Sequence, residues 1–218
     1  MTFLPNHILR RLPAALAAAL AVAVPIAAFV TPAPATAQAD PLDQAIAALR
    51  AITTLQADFT QADRTGQTLR GVLTLKRPGK VRFEYEKAAK MLIVSNGRSL
   101  TVIDYQVNRL QRYPLGPLGA LLDPNKDVKR YARLMPTANP NVISAQFRDP
   151  KKPEYPEITM IFVRDPSAPG GWELTNWVSR DAQNKLTTIR LSNQRYGVQV
   201  ADSAFTYVDP SPHLGPRH

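Results

Sequence analysis

Residues 68–86 read TLRGVLTLKRPGKVRFEYE and residues 91–104 read MLIVSNGRSLTVID, with the small and basic residues 87–90 between them. Leu73 and Leu75 alternate with polar neighbours up to a Pro78-Gly79 turn; Val81, Phe83 and Tyr85 then alternate with Arg82, Glu84 and Glu86. A period of two marks half-buried strands with one apolar and one charged face. Asn96-Gly97 is the dipeptide of a type I′ turn, whose two central residues both take positive φ, so residues 92–102 are expected to form a tight hairpin. Consecutive antiparallel strands with one apolar face need a cover for it, and what covers it decides what the protein does.

Upstream of this stretch, Asp40 as N-cap and Pro41 at the first helical position open a helix of about four turns. Leu42, Ala45, Ile46, Leu49, Ile52 and Leu55 recur along it at helical spacing. Residues 57–62 and 69–76 start the strands, and 108–113 end an uninterrupted meander. The pattern breaks at 114–123, PLGPLGALLD. Its prolines and glycines forbid a long regular element, yet Leu115, Leu118, Leu121 and Leu122 are too apolar for a free loop, so the segment must lie on a hydrophobic surface.

A second helical stretch is expected over 126–135, with strands resuming at 142–147, 157–164, 172–179, 185–192 and 198–207. The fold class is α+β, mainly β, with roughly ten or eleven antiparallel strands in a sheet large enough to curl. Inside the curl, the N-terminal helix and the Leu-rich segment either complete a packed core or form a removable lid over a lipid-sized cavity.

The chain opens with Arg10 and Arg11, an Ala/Leu/Val run over 12–30, and Ala35-Thr36-Ala37 and Ala37-Gln38-Ala39, which both fit a small-residue cleavage site. Residues 1–39 are therefore expected to be a cleaved secretory signal, and 40–218 a single domain, soluble in the periplasm. An uncleaved anchor is the alternative, since the run approaches spanning length. Without cysteine the domain has no disulfide and no cysteine to acylate. The whole chain carries 27 Lys+Arg against 17 Asp+Glu, and only Arg10 and Arg11 leave with the signal. The remaining net charge, about +8, favours anionic partners such as a membrane surface or an acidic protein patch. Export, and the lack of a recognisable binding motif, argue against nucleic acid.

The histidines are His7, His213 and His218, all near the termini. A body free of His and Cys excludes His-dependent triads, Cys nucleophiles and His/Cys zinc sites. Asp58, Asp104 and Asp123 are the carboxylates a hydrolase would draw on, and nothing in their spacing directs two of them into one cleft. The expectation is a protein that is not an enzyme, with no catalytic residue, metal or cofactor.

Several motifs occur in a fixed order: Ala57-Asp58-Phe59-Thr60-Gln61 after the first helix, Gly71-x-Leu73-x-Leu75-Lys76-Arg77-Pro78-Gly79-Lys80-x-Arg82-Phe83-x-Tyr85, and Ile93-Val94-Ser95-Asn96-Gly97-x-x-Leu100. The Pro- and Leu-rich segment and a closing Ala204-Phe205-Thr206-Tyr207 strand complete the series. Together with the signal they resemble the periplasmic outer-membrane lipoprotein carrier proteins, the LolA family, over essentially the whole mature chain.

The resemblance implies an incomplete antiparallel barrel, closed by lid helices, whose apolar interior takes up lipoprotein acyl chains. It implies that Arg77 hydrogen-bonds the lid in the closed state and that Phe83 belongs to the cavity wall. On this reading the wall comprises Leu73, Leu75, Val81, Phe83, Tyr85, Leu92, Val94, Leu100, Val102, Met160 and Phe162, and the lid Leu115, Leu118, Leu121 and Leu122. The implied partners are acylated lipoproteins, an inner-membrane lipoprotein-releasing transporter and, optionally, an outer-membrane receptor, with the carrier a monomer. The sequence departs from the family pattern at Asn96, usually Asp, at Thr101, often aromatic, and at Gly116-Pro117-Leu118, where a Thr-Pro start of the lid is usual. The alternative function on the same fold is a lipid- or amphiphile-binding envelope sensor or carrier.

Overall fold

A computed structural model describes residues 39–210, except the side chains of Pro117 and Leu118. The expected signal, apart from Ala39, and the tail histidines lie outside the described residues. Helix α1, Pro41–Ala51, starts as the sequence indicates: the Asp40 carboxylate accepts a hydrogen bond from the Leu42 amide at 3.1 Å, and Pro41 opens the first turn. It is one turn shorter than expected. The chain turns extended at Ile52, so Leu55 belongs to the first strand although it keeps the helical spacing.

The strands are β1 (Thr54–Asp63), β2 (Thr68–Lys76), β3 (Lys80–Tyr85), β4 (Met91–Asn96), β5 (Ser99–Asp104) and β6 (Arg109–Pro114). After a short helix α2 (Gly116–Leu122) come β7 (Ala132–Met135), β8 (Val142–Phe147), β9 (Glu157–Arg164), β10 (Trp172–Arg180) and β11 (Leu186–Tyr196). All eleven form one antiparallel sheet in the order β6-β5-β4-β3-β2-β1-β11-β10-β9-β8-β7. The sheet is open: β6 and β7 are its two edges, and the segment 115–131 carries the chain from one to the other.

The sheet curls because strands of this number twist. Phe83 on β3 and Trp177 on β10 stand four strands apart, about 19 Å across a flat sheet, yet their ring centroids are 6.1 Å apart. Only a strongly bent sheet brings them together, and its concave face then encloses the core. The main apolar cluster joins α1 residues such as Ile46 and Leu49 to Phe59, Leu73, Phe147 and Phe162. Gly170 lets α1 seat closely, since a Cβ there would lie 2.8 Å from the Ala48 Cα.

Three expectations are corrected. The β4–β5 hairpin exists, but its loop is Gly97-Arg98 rather than Asn96-Gly97: β4 runs through Asn96, and only Gly97 of the pair has positive φ, at 93°. Glycine at the first loop position suits a II′ geometry, and the Asn96 carboxamide oxygen accepts from the Arg98 amide at 3.0 Å. Residues 126–135 are not a helix but a 3-10 turn at Lys129–Tyr131 followed by β7; the apolar spacing was satisfied instead by edge pairing with β8.

Residues 198–207 do not form a strand either. A 3-10 turn at Asp202–Phe205 lies across the convex face of the sheet, where Phe205 joins Leu92, Val94 and Ile103 in a second apolar cluster. Side chains supply the hydrogen bonds that a ladder would have made. Arg82 donates to the carbonyls of Ala204 and Thr206, and Lys76 and Lys80 pair with Asp202 at 2.7 and 2.8 Å.

Candidate functional site: an apolar cavity under α2

The concave face holds a cavity of about 440 Å³. Its floor is aromatic: Phe83 and Tyr85 line it, and behind them Phe59, 2% exposed, packs edge-on against both, with centroids 5.3 and 5.0 Å away. Gly71 makes this approach possible, because a Cβ there would lie 2.2 Å from the Glu84 carbonyl oxygen and 2.8 Å from the Phe59 ring. Leu73, Leu75, Val81 and Leu100 extend the wall on one side, and Ile158, Met160, Leu174 and Trp177 on the other. Leu49 from α1, Ile52 just beyond its end, and Leu121 and Leu122 from α2 close it. The polar groups in the wall are few. Tyr85 donates to Gln61 Oε1 at 2.7 Å, and burial pushes its phenol up to about 12.

Arg77 stands where the helices meet. It sits in the β2–β3 turn, held by Gly79 at φ 70°, where a Cβ would come 2.7 Å from the Gly97 Cα. Ser95, fully buried, ties the two neighbouring turns by donating to the Gly79 carbonyl at 2.7 Å and accepting from the Gly97 amide at 3.1 Å. From this base Arg77 donates to the carbonyls of Leu49 (2.7 Å) and Ile52 (2.7 Å) at the end of α1 and of Leu121 (2.9 Å) at the end of α2.

The last carbonyls of a helix have no partner within it and carry the negative end of its dipole, so one guanidinium caps both C-termini at once. The Gly79 amide adds a bond to the Leu122 carbonyl at 3.2 Å. Burial pulls the guanidinium down to about 10, with Asp123 opposing the shift and Arg50 reinforcing it. At neutral pH Arg77 therefore remains charged.

The wall residues named from the sequence do not all reach the cavity. Leu73, Leu75, Val81, Phe83, Tyr85, Leu100 and Met160 line the cavity. Leu92 and Val94 point the other way, into the convex cluster with Phe205. Val102 is in register with Ile93, a cavity residue, but does not itself reach the cavity. Phe162, with no exposed surface, is packed into the core.

Of the named lid residues, Leu121 and Leu122 reach the cavity and Leu115 borders a neighbouring apolar space; the side chain of Leu118 is outside the described residues. Sequence reasoning missed Leu49, Ile52, Met91, Ile93, Leu174 and Trp177. Met91 and Ile93 alternate with Leu92 and Val94, so all four are apolar and the strand shows no parity. Leu49 and Ile52 carried a usable signal in the helical spacing of their segment, whereas Trp177 lies past a register shift between Leu174 and Asn176 that breaks the alternation of its strand. Among the described residues no cluster of His, Cys, Asp or Glu is arranged to hold a metal, and no helix is long and apolar enough to cross a membrane.

A curled, open antiparallel sheet around an apolar interior defines a half-barrel protein. Comparison with known proteins gives the particular family: residues 50–208 match the family described as outer membrane lipoprotein carrier protein LolA, and the chain belongs to it. It is 29% identical over 186 residues to the outer-membrane lipoprotein carrier protein of Chromobacterium violaceum, covering 81% of this chain and 87% of that one. The carrier protein of Methylobacillus flagellatus is 25% identical over 204 residues, covering 88% and 95%. A solved LolA superfamily protein from Nitrosomonas europaea superposes with a TM-score of 0.44 at 13% identity, covering 75% of this chain and 97% of the other.

Proposed function

We propose that the protein is a periplasmic carrier that shields the acyl chains of lipoproteins in its concave cavity and ferries them from the inner to the outer membrane. Each buried methylene is worth about 0.8 kcal/mol, so exposing one chain of about 16 carbons costs on the order of 12 kcal/mol, and a triacylated anchor about three times that. Such an anchor does not cross water unaided.

The observation that carries the reading is the joining of this apolar interior to a cover whose end is tied by the Arg77 guanidinium and the Gly79 amide. Arg77 links the cover to α1, so admitting cargo beneath α2 competes with the bond to Leu121. Part of the binding energy is used in opening, which keeps release feasible. The partners on this reading are acylated lipoproteins, a releasing transporter in the inner membrane and, optionally, a receptor in the outer one.

The test is native mass spectrometry and lipid extraction of the protein purified from the periplasm of its own host, with and without Arg77→Leu. A one-to-one complex with triacylated lipoprotein that accumulates in the variant is the expected result. Free phospholipid, or no ligand in either form, sinks the lipoprotein assignment.

A further inference from the structure

With the cover in place, the main cavity measures about 440 Å³. A chain of about 16 carbons, at roughly the 30 Å³ per methylene that a liquid water molecule occupies, needs about 480 Å³. The cavity is therefore the size of one long acyl chain. Beside it lies a second, largely apolar chamber of about 410 Å³, which shares Leu100, Pro156 and Ile158 with the first.

The outer walls of this second chamber are Tyr113, Pro114 and Leu115, leading into α2, and Glu154 and Tyr155 from the β8–β9 loop. These walls are seated on each other. Gly116 has φ 50°, and a Cβ on it would lie 2.3 Å from Tyr155 Cε1, so the tyrosine ring rests directly on the backbone at the start of α2. Lys152 Nζ lies 5.7 Å from the same ring centroid, on the solvent-exposed loop.

We propose that this chamber is a second acyl-chain subsite, reached from the main cavity past Leu100 and Ile158, so that the chains of a multiply acylated anchor are divided between the two chambers. The inference rests on the carrier reading and adds to it a cargo preference: anchors with two or three chains use both chambers, and single-chain amphiphiles use only the one floored by Phe83. Continuity of the two apolar walls through Leu100, Pro156 and Ile158 supplies the path.

The chain has no cysteine, so one can be introduced and alkylated after folding. Leu115→Cys treated with N-hexylmaleimide fills the second chamber, and the same treatment of Val107→Cys, at a 64% exposed position, is the control. Binding of a triacylated lipopeptide, a diacylated lipopeptide of the same peptide sequence, and palmitate is then measured by calorimetry. Alkylation at 115 is expected to weaken both lipopeptides about tenfold or more and to change palmitate by less than about twofold. Unchanged lipopeptide binding, or an equal loss for all three probes, overturns the subsite. If the untreated protein binds none of the three, the carrier reading falls with it.

Discussion

At Arg77 three backbone carbonyls, at or just past the ends of two helices, converge on one guanidinium, and the exchange is closely balanced. Hydrogen bonds to a charged donor are worth about 1.5–3 kcal/mol each, but the same burial that shortens them lowers the guanidinium pKa and so costs part of that gain. Arg77→Leu is expected to destabilise the protein by about 2 kcal/mol in urea unfolding and to raise amide exchange at the C-terminus of α2. The variant should still accept lipoprotein yet hand it on poorly; normal transfer to acceptor membranes would remove the locking role. Gly71→Ala tests the aromatic floor. Its methyl would overlap a backbone oxygen as well as a ring, and backbone cannot rotate aside, so a loss of about 3 kcal/mol or more is expected.

At the scale of elements, the 3-10 segment across the convex face holds the place expected of a closing strand. It is fastened by charge rather than by a ladder: Lys76 and Lys80 hold the Asp202 carboxyl down at about 2. Because folding depresses this pKa, the tie is complete above the ordinary carboxylate value of 3.8 and is lost as pH falls through about 2. Side-chain carboxyl shifts in an NMR titration should therefore report Asp202 titrating well below the ordinary carboxylate value of 3.8. Titration near 4 would mean that the ion pairs do not form in solution. Deleting residues 199–210 is expected to leave the sheet intact but to expose Leu92, Val94 and Ile103, giving a protein that binds hydrophobic dyes and aggregates.

For the whole molecule, curling converts a flat meander into a container, and the two tryptophans report on different parts of it. Trp172 is buried and donates to Gln44 Oε1 of α1 at 3.0 Å, whereas Trp177 is half-buried in the cavity wall beside Phe83. Filling the cavity with a brominated fatty acid should quench Trp177 and spare Trp172. The quenching should disappear in Trp177→Phe. Quenching that persists in that variant would place the ligand elsewhere.

The sequence by itself determined most strands, the N-cap at Asp40 and the apolar character of 114–123, because alternation, capping and turn chemistry act over a few residues; Arg77 was pointed to by the family resemblance, not by any local pattern. Bounds such as Val142–Phe147 and Glu157–Arg164 were legible for that reason. Strand facing was legible where one face is polar, as along 81–86, and illegible in β4, where Met91 and Ile93 face the cavity while Leu92 and Val94 face the convex cluster. Tertiary structure alone decided that facing, the pairing of residues 132–135 as an edge strand, and the course of the chain after Tyr196. In each case the deciding partner comes from a distant part of the chain, so burial and pairing are set by the curl of the sheet rather than by any local pattern.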